Sequence, residues 1–238
     1  MKLLALDTSA LVASAALLED GICRGEVSLN HKLTHSQTIM PMIDQLLQWT
    51  GTAAEELDYI ACAEGPGSFT GLRIGAATAK GLAHGLSIPI IPVPTLDALA
   101  YNIAQNNRLI CPIMDARRQQ VYTAAYSWKK GVLRQLVPQA ARSLEEMISI
   151  CKASGRETIF VGDGVPVYQE RLKQEDRFYL APANCCFQRA ASVGALAEEL
   201  QKRGQFVDGA EFTPIYLRKP QAERELEEKQ KQAQRLGR

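Results

Sequence analysis

Two short apolar runs that end in aspartate, Lys2–Asp7 and Leu109–Asp115, constrain this chain more than any other feature in it. Each opens a stretch in which short apolar runs alternate with segments of helical spacing, the pattern of an α/β layer on a buried sheet. After the first, residues 10–18 and Ile22–Leu29 flank Glu19-Asp20-Gly21, a turn signal that predicts a hairpin. With Lys2–Asp7 these make three sequential, mostly antiparallel strands. Ser36 then caps a helix over residues 36–49, and Gly51 follows its end. A strand at 59–63, a small-residue helix at 71–86, a strand at 88–93 and a helix start at 95–102 complete the first half.

The second half repeats the theme less fully. Residues 120–127 alternate, and Gly131 marks a turn before another strand. Ser143-Leu144-Glu145-Glu146 reads as a capping box, with Leu144, Met147, Ile148 and Cys151 on one helix face. Thr158–Val161 is a strand, and Ser192 opens a last helix. The polar stretch Gln105-Asn106-Asn107-Arg108 separates the halves, giving a first unit at 1–104 and a second at 105–218. Residues 219–238, nearly all Glu, Lys, Arg, Gln and Ala, read as a charged helical or disordered tail.

Composition removes several classes. Of 238 residues, 46% are apolar and 22% charged, which excludes a disordered or collagenous bulk. Lys+Arg 27 against Asp+Glu 26 leaves a net charge of +1, less than a protein gripping nucleic acid alone would carry. That balance leaves room for a minor share in a larger RNA-binding assembly. Apolar runs are too short to span a membrane. Asp7 breaks the N-terminal apolar run where a signal peptide tolerates no carboxylate, so a cytoplasmic protein is expected. The six cysteines contain no C-x-x-C pair and read as reduced thiols.

The segment Glu64-Gly65-Pro66-Gly67-Ser68-Phe69-Thr70-Gly71-Leu72-Arg73-Ile74-Gly75 follows a strand and precedes a helix, where backbone amides would cradle an anion. It lacks the lysine of a Walker loop, and Thr70 stands where a dinucleotide fingerprint needs glycine. An anion-contacting loop would use Asp7, Thr8, Gly65, Gly67, Ser68 and Thr70; a tight turn feeding a closely packed helix is the other reading. Gly71, Gly75, Ala79 and Ala83 lie four apart, a row that lets another helix approach. At 100° per residue, Ile39, Met40, Met42, Ile43, Leu46, Leu47 and Trp49 cover about half of the preceding helix, a wider stripe than one core requires. This helix either serves a broad core or serves a core and a partner. His31 and His35 are spaced i,i+4, but with only His84 beside them they make no metal site. No nucleophile or acid/base pair assembles, so no catalytic residue is expected.

Leu6-Asp7-Thr8-Ser9, the Gly-Pro-Gly segment, Thr95-Leu96-Asp97-Ala98-Leu99-Ala100, Asp115-Ala116-Arg117-Arg118-Gln119-Gln120-Val121-Tyr122 and Pro214-Ile215-Tyr216-Leu217-Arg218 occur in this order. In this the chain resembles the TsaB (YeaZ) family over nearly its whole length. The Gly-Pro-Gly segment is shared with the catalytic relative TsaD; the Asp-Ala-Arg-Arg segment points to TsaB. The resemblance implies an actin-like ATPase (ASKHA) fold of two ribonuclease-H-like halves, the second reduced. It also implies a non-catalytic, cofactor-free accessory subunit that joins TsaD in a heterodimer. TsaD forms N6-threonylcarbamoyladenosine beside the tRNA anticodon. The ATPase TsaE and tRNA would be met through the complex, and a homodimer would form when TsaD is absent. TsaD holds metal through paired histidines after its Gly-Pro-Gly helix, and residues 90–104 here contain none. The expected interface comprises Ile39, Met40, Ile43, Leu47, Gly71, Gly75, Ala79 and Ala83. The alternatives are a glycoprotease-like metallopeptidase and a weak nucleotide-binding module.

Overall fold

The computed structural model describes residues 1–31 and 33–218, so the charged tail at 219–238 lies outside the described residues. Strands β1 (Lys2–Asp7), β2 (Ala13–Glu19) and β3 (Ile22–Leu29) are antiparallel neighbours. Helices α1 (His35–Thr50) and α2 (Phe69–Leu86) flank β4 (Tyr59–Gly65) in sequence, and β5 (Ile90–Pro94) and α3 (Thr95–Tyr101) follow. β1 pairs in parallel with β4, and β4 with β5, giving the strand order β3-β2-β1-β4-β5.

The second half contains β6 (Leu109–Asp115), β7 (Gln120–Lys129), β8 (Val132–Ser143), α4 (Leu144–Ala153), β9 (Thr158–Val161), α5 (Gly164–Leu172), β10 (Phe178–Leu180) and α6 (Ala190–Lys202). Its order, β10-β9-β6-β7-β8, is the same topology as the first sheet. The two halves are the duplicated units of the actin-like ATPase fold. The reduction of the second lies in lengths, not strand number: β9 and β10 have 4 and 3 residues, and α4 and α5 have 10 and 9 against 16 and 18 for α1 and α2.

Both faces of the first sheet are covered, which is why β1 is apolar from Leu3 to Leu6. Side chains alternate across a strand, so Leu4 and Leu6 join Ile39, Ile43, Leu46 and Ala79 under α1 and α2. Leu3 and Ala5 point the other way, toward Ala190, Val193, Leu196 and Ala197 of α6. Thus α6, late in the chain, packs on the first sheet. Ala190 N donates to Ser14 Oγ at 3.0 Å, Arg189 pairs with Glu26, and Val207 bridges Ile90. α3 lies between the halves: Ala98 joins the core under α6, while Leu96 and Leu99 join that of the second sheet.

Local chemistry sets most element ends. Ser143 Oγ accepts from Glu146 N at 3.2 Å, one arm of the predicted capping box, while the Glu146 carboxylate turns to Arg142. Ser36 is not the cap of α1. The cap is Thr34, whose side chain makes no capping bond, and Ser36 lies within the first turn. Gly51 adopts φ 61° and donates to Gln48 O, closing the helix.

Candidate functional site

The end of β1 and the β4–α2 loop form one knot. Thr8 Oγ1 donates to Gly71 O at 2.8 Å, and Ser68 N donates to Ser9 O at 2.7 Å. Ser68 caps α2 by accepting from Gly71 N at 3.3 Å, and Gly65 N donates to Thr95 Oγ1 at 3.1 Å. A Cβ on Gly67 would overlap Ser9 O, and one on Gly71 would overlap Thr8 O. The glycines therefore serve close backbone approach. The amides of Gly65, Ser68 and Gly71 already have acceptors within the chain, and Ile215 N bonds Glu64 O across the loop. Of the residues expected to contact an anion, Asp7, Thr8, Gly65 and Ser68 are thus bonded within the chain, Gly67 lies against Ser9, and Thr70 is exposed on the first turn of α2.

Asp7 is 1% exposed, and its Oδ1 accepts from Ser9 N at 2.9 Å and Ser9 Oγ at 2.6 Å. Burial pushes its carboxyl up to about 6, against the pull of the Ser9 bonds and of His35. His35 Nε2 lies 2.7 Å from Ala10 O, so this ring braces the same turn. His31 and His84 are exposed. Among the described residues no three His, Cys, Asp or Glu side chains converge as a metal site.

At the junction of the halves, Asp97 accepts from Tyr126 Oη at 2.6 Å and Gln139 Nε2 at 2.7 Å. Burial raises the Asp97 carboxyl. Partial burial, together with the charge of Asp97, raises Glu64 to about 7. Asn102 Nδ2 bonds Cys185 O and Phe187 O, and Trp128 Nε1 bonds Ile103 O at 2.7 Å. These contacts fasten α3 to the second half.

The predicted helix face divides. Ile39 and Ile43 are buried in their own core, Met40 is 47% exposed and Leu47 is half-buried. The row Gly71, Gly75, Ala79 and Ala83 faces inward: all four are buried, and a Cβ on Gly75 would overlap Thr8 Oγ1 and crowd Cys62. These four, with Ile39 and Ile43, seat their helices on their own sheet, which corrects their assignment to a partner surface. The sequence holds a second row on the other side of α2. Ala77, Gly81 and Gly85 are four apart and exposed, beside half-buried Ile74, Thr78 and Leu82. Among the described residues, a Cβ on Gly81 or Gly85 would meet nothing within 4 Å. Gly81 also lines a groove of about 820 Å³ with Lys80, His84 and Phe206. Spacing alone could not say which row turns inward.

One further cluster was not foreseen. The Arg73 guanidinium lies 4.0 Å over the Phe69 ring, and that ring is 4.9 Å from Tyr216. The Phe69/Arg73 half is an i,i+4 pair on α2, but Tyr216 is 147 residues later and no local signal ties it there.

The chain matches the family model described as TsaD, tRNA N6-adenosine threonylcarbamoyltransferase, over residues 26–226. It is 36% identical to the tRNA threonylcarbamoyladenosine biosynthesis protein TsaB of Bacillus subtilis, over 97% of this chain and 100% of that one. The protein of the same name in Escherichia coli is 31% identical over 92% of this chain and 95% of its own. Among solved structures, YeaZ from Pseudomonas aeruginosa aligns with a TM-score of 0.79 at 31% identity, covering 91% of this chain and 99% of that one. An activator of 2-hydroxyisocaproyl-CoA dehydratase from Clostridium difficile, solved with bound ADPNP, has a TM-score of 0.52 at 12% identity and shares the fold alone.

Proposed function

The chain belongs to the TsaB (YeaZ) family, and on that premise we propose that it is the non-catalytic partner of TsaD in forming threonylcarbamoyladenosine in tRNA. The carbamoyl-transfer chemistry resides in TsaD. This subunit fixes the conformation of its partner and helps to shape the surface where TsaE and tRNA dock. When TsaD is absent, the same surface pairs with a second copy of the chain.

The observation that carries this reading is the outward side of α1 and α2. Met40 and Leu47 share one side of α1, and Ile74, Ala77, Thr78, Gly81, Leu82 and Gly85 share one side of α2. Glycine inside a helix costs about 1 kcal/mol relative to alanine. Gly81 and Gly85 incur that cost twice with open space above them, so nothing among the described residues requires their small size. A partner helix laid into the row would require it. A specific interface of this kind buries roughly 1,200–2,000 Å².

Association with TsaD is the test. Met40→Asp and Gly81→Trp are expected to abolish co-elution with TsaD and to remove the stimulation of tRNA modification, while each variant keeps the melting temperature of the wild type. Co-elution that survives both changes would refute the face. Gly75→Trp is unsuited to this test because it would drive a ring into Thr8 and unfold the knot.

A further inference from the structure

Four arginines lie on three segments that are distant in sequence. Arg73 is on α2, Arg117 and Arg118 are on the β6–β7 turn, and Arg218 ends the described chain. The segment at 214–218 joins them. Its Ile215 N is bonded to Glu64 O at 2.7 Å, its Tyr216 ring rests against Phe69, and its Arg218 Nη1 donates to Ala116 O at 2.7 Å. Arg73, Arg117 and Arg118 are exposed, and Ile215, Tyr216 and Leu217 are 47%, 38% and 38% exposed. The acid within the turn is Asp115, whose Oδ1 accepts from the Arg117 amide at 2.9 Å.

The turn itself is unusual. Arg117, Arg118 and Gln119 take φ of 61°, 54° and 58°, three consecutive non-glycine residues in the left-handed region. There the Cβ of each crowds the following carbonyl oxygen, which is unfavourable for any L-residue with a side chain. Joining two antiparallel strands requires no such sequence, since Asn-Gly does it without strain. The result is a short left-handed coil that carries two exposed arginines in succession.

We propose that this arginine and aromatic surface contacts RNA directly, with Arg117 and Arg118 on phosphates and an unstacked base against the Phe69–Tyr216 pair. The proposal deepens the function given above and rests on it, because it names the RNA substrate of the complex as a direct ligand of this subunit. Single-stranded RNA is recognised by stacking on aromatic rings and guanidinium planes, with cationic side chains on the backbone. Arg73 is already stacked on Phe69, which leaves that pair ordered before RNA arrives. The near-neutral charge of the whole chain fits a contribution of a few phosphate contacts within a complex, rather than an independent RNA-binding protein.

The test uses the full chain assembled with TsaD and an unmodified tRNA transcript, with affinity measured across a range of salt. The double variant Arg117→Glu/Arg118→Glu is expected to weaken binding at least roughly tenfold. Its slope of log affinity against log salt should be shallower by about 1.4–1.8, the counterions of two phosphates. Tyr216→Ala should weaken binding roughly tenfold, and Tyr216→Phe should restore it. The complex should elute intact in every case. Unchanged tRNA affinity and slope in an intact complex would overturn the proposal. Loss of TsaD with retention of RNA affinity would overturn it too, marking the surface as a protein contact. If the wild-type chain does not associate with TsaD, the function above fails instead. The isolated variants then face the same transcript, and unaltered affinity again refutes RNA contact.

Discussion

Asp7 ties the end of a strand to the turn that follows it. A carboxylate ending a β-strand beside Thr and Ser looks available for a phosphate or a metal, yet its oxygen is engaged by Ser9 of its own turn. Its burial has a thermodynamic consequence. The unfolded carboxyl ionises near 4 and the native one at about 6, so the native state holds the proton longer. Stability then falls as pH rises from about 4 to 6, by as much as 1.4 kcal/mol per unit, for a total on the order of 3 kcal/mol. Burial of Asp163, at about 6, and of Glu64, at about 7, acts in the same direction. Asp7→Asn retains an acceptor for Ser9 and removes the buried charge. It is expected to be more stable than the wild type at pH 8 by roughly 2–3 kcal/mol and equal to it near pH 4. Urea denaturation at the two pH values reads this directly, and a difference that does not depend on pH would reject it. Sequence placed Asp7 at the strand end but could not show that Ser9 folds back or that His35 closes over the turn, because both depend on tertiary packing.

At the scale of elements, α2 is instructive because it is small or apolar nearly all round. Periodicity marks such a segment as a helix without saying which side is buried. The inward side is set by Thr8 and Cys62, which approach Gly71 and Gly75 from the end of β1, more than sixty residues earlier, and from β4. Gly81 and Gly85 remain outward. In the isolated chain, Gly81→Ala and Gly85→Ala are each expected to raise stability by about 1 kcal/mol, since the new methyl meets no described residue. Chemical denaturation of the two variants checks this, and a loss of stability would place those positions against the chain itself. Strongly patterned elements were legible: the β1–β3 hairpins, α1, α4 and the strand at Thr158–Val161 stand where hydrophobic spacing puts them. α5 and β10 were not, because α5 buries only Gly164, Val165 and Leu172 and carries Pro166 in its first turn, while β10 is three residues long. Arg117 to Gln119 gave no sign of their left-handed conformation, which neither glycine nor asparagine announces.

At the scale of the molecule, the two sheets share one topology, but the first is completed only by α6. The linear pattern showed two α/β halves; it could not show that a helix beyond the second sheet returns to the first. Glu26 holds both the Arg189 side chain and the Ala191 amide, and Gly194 has no side chain because Leu18 lies against it. A fragment of residues 1–104 would leave Leu3, Ala5, Ala16 and Leu18 bare on one face. It is expected to show no cooperative unfolding transition, whereas residues 1–218 should show one. Calorimetry of the two polypeptides decides the matter, and a sharp melt from the short fragment would contradict the role given to α6. This dependence reaches into synthesis. A ribosome that has completed the first sheet at Pro94 must still build roughly a hundred residues, on the order of ten seconds of elongation, before its cover at Ala190–Lys202 emerges. During that interval the nascent polypeptide carries an oily sheet face with no mate, a natural point of engagement for a chaperone.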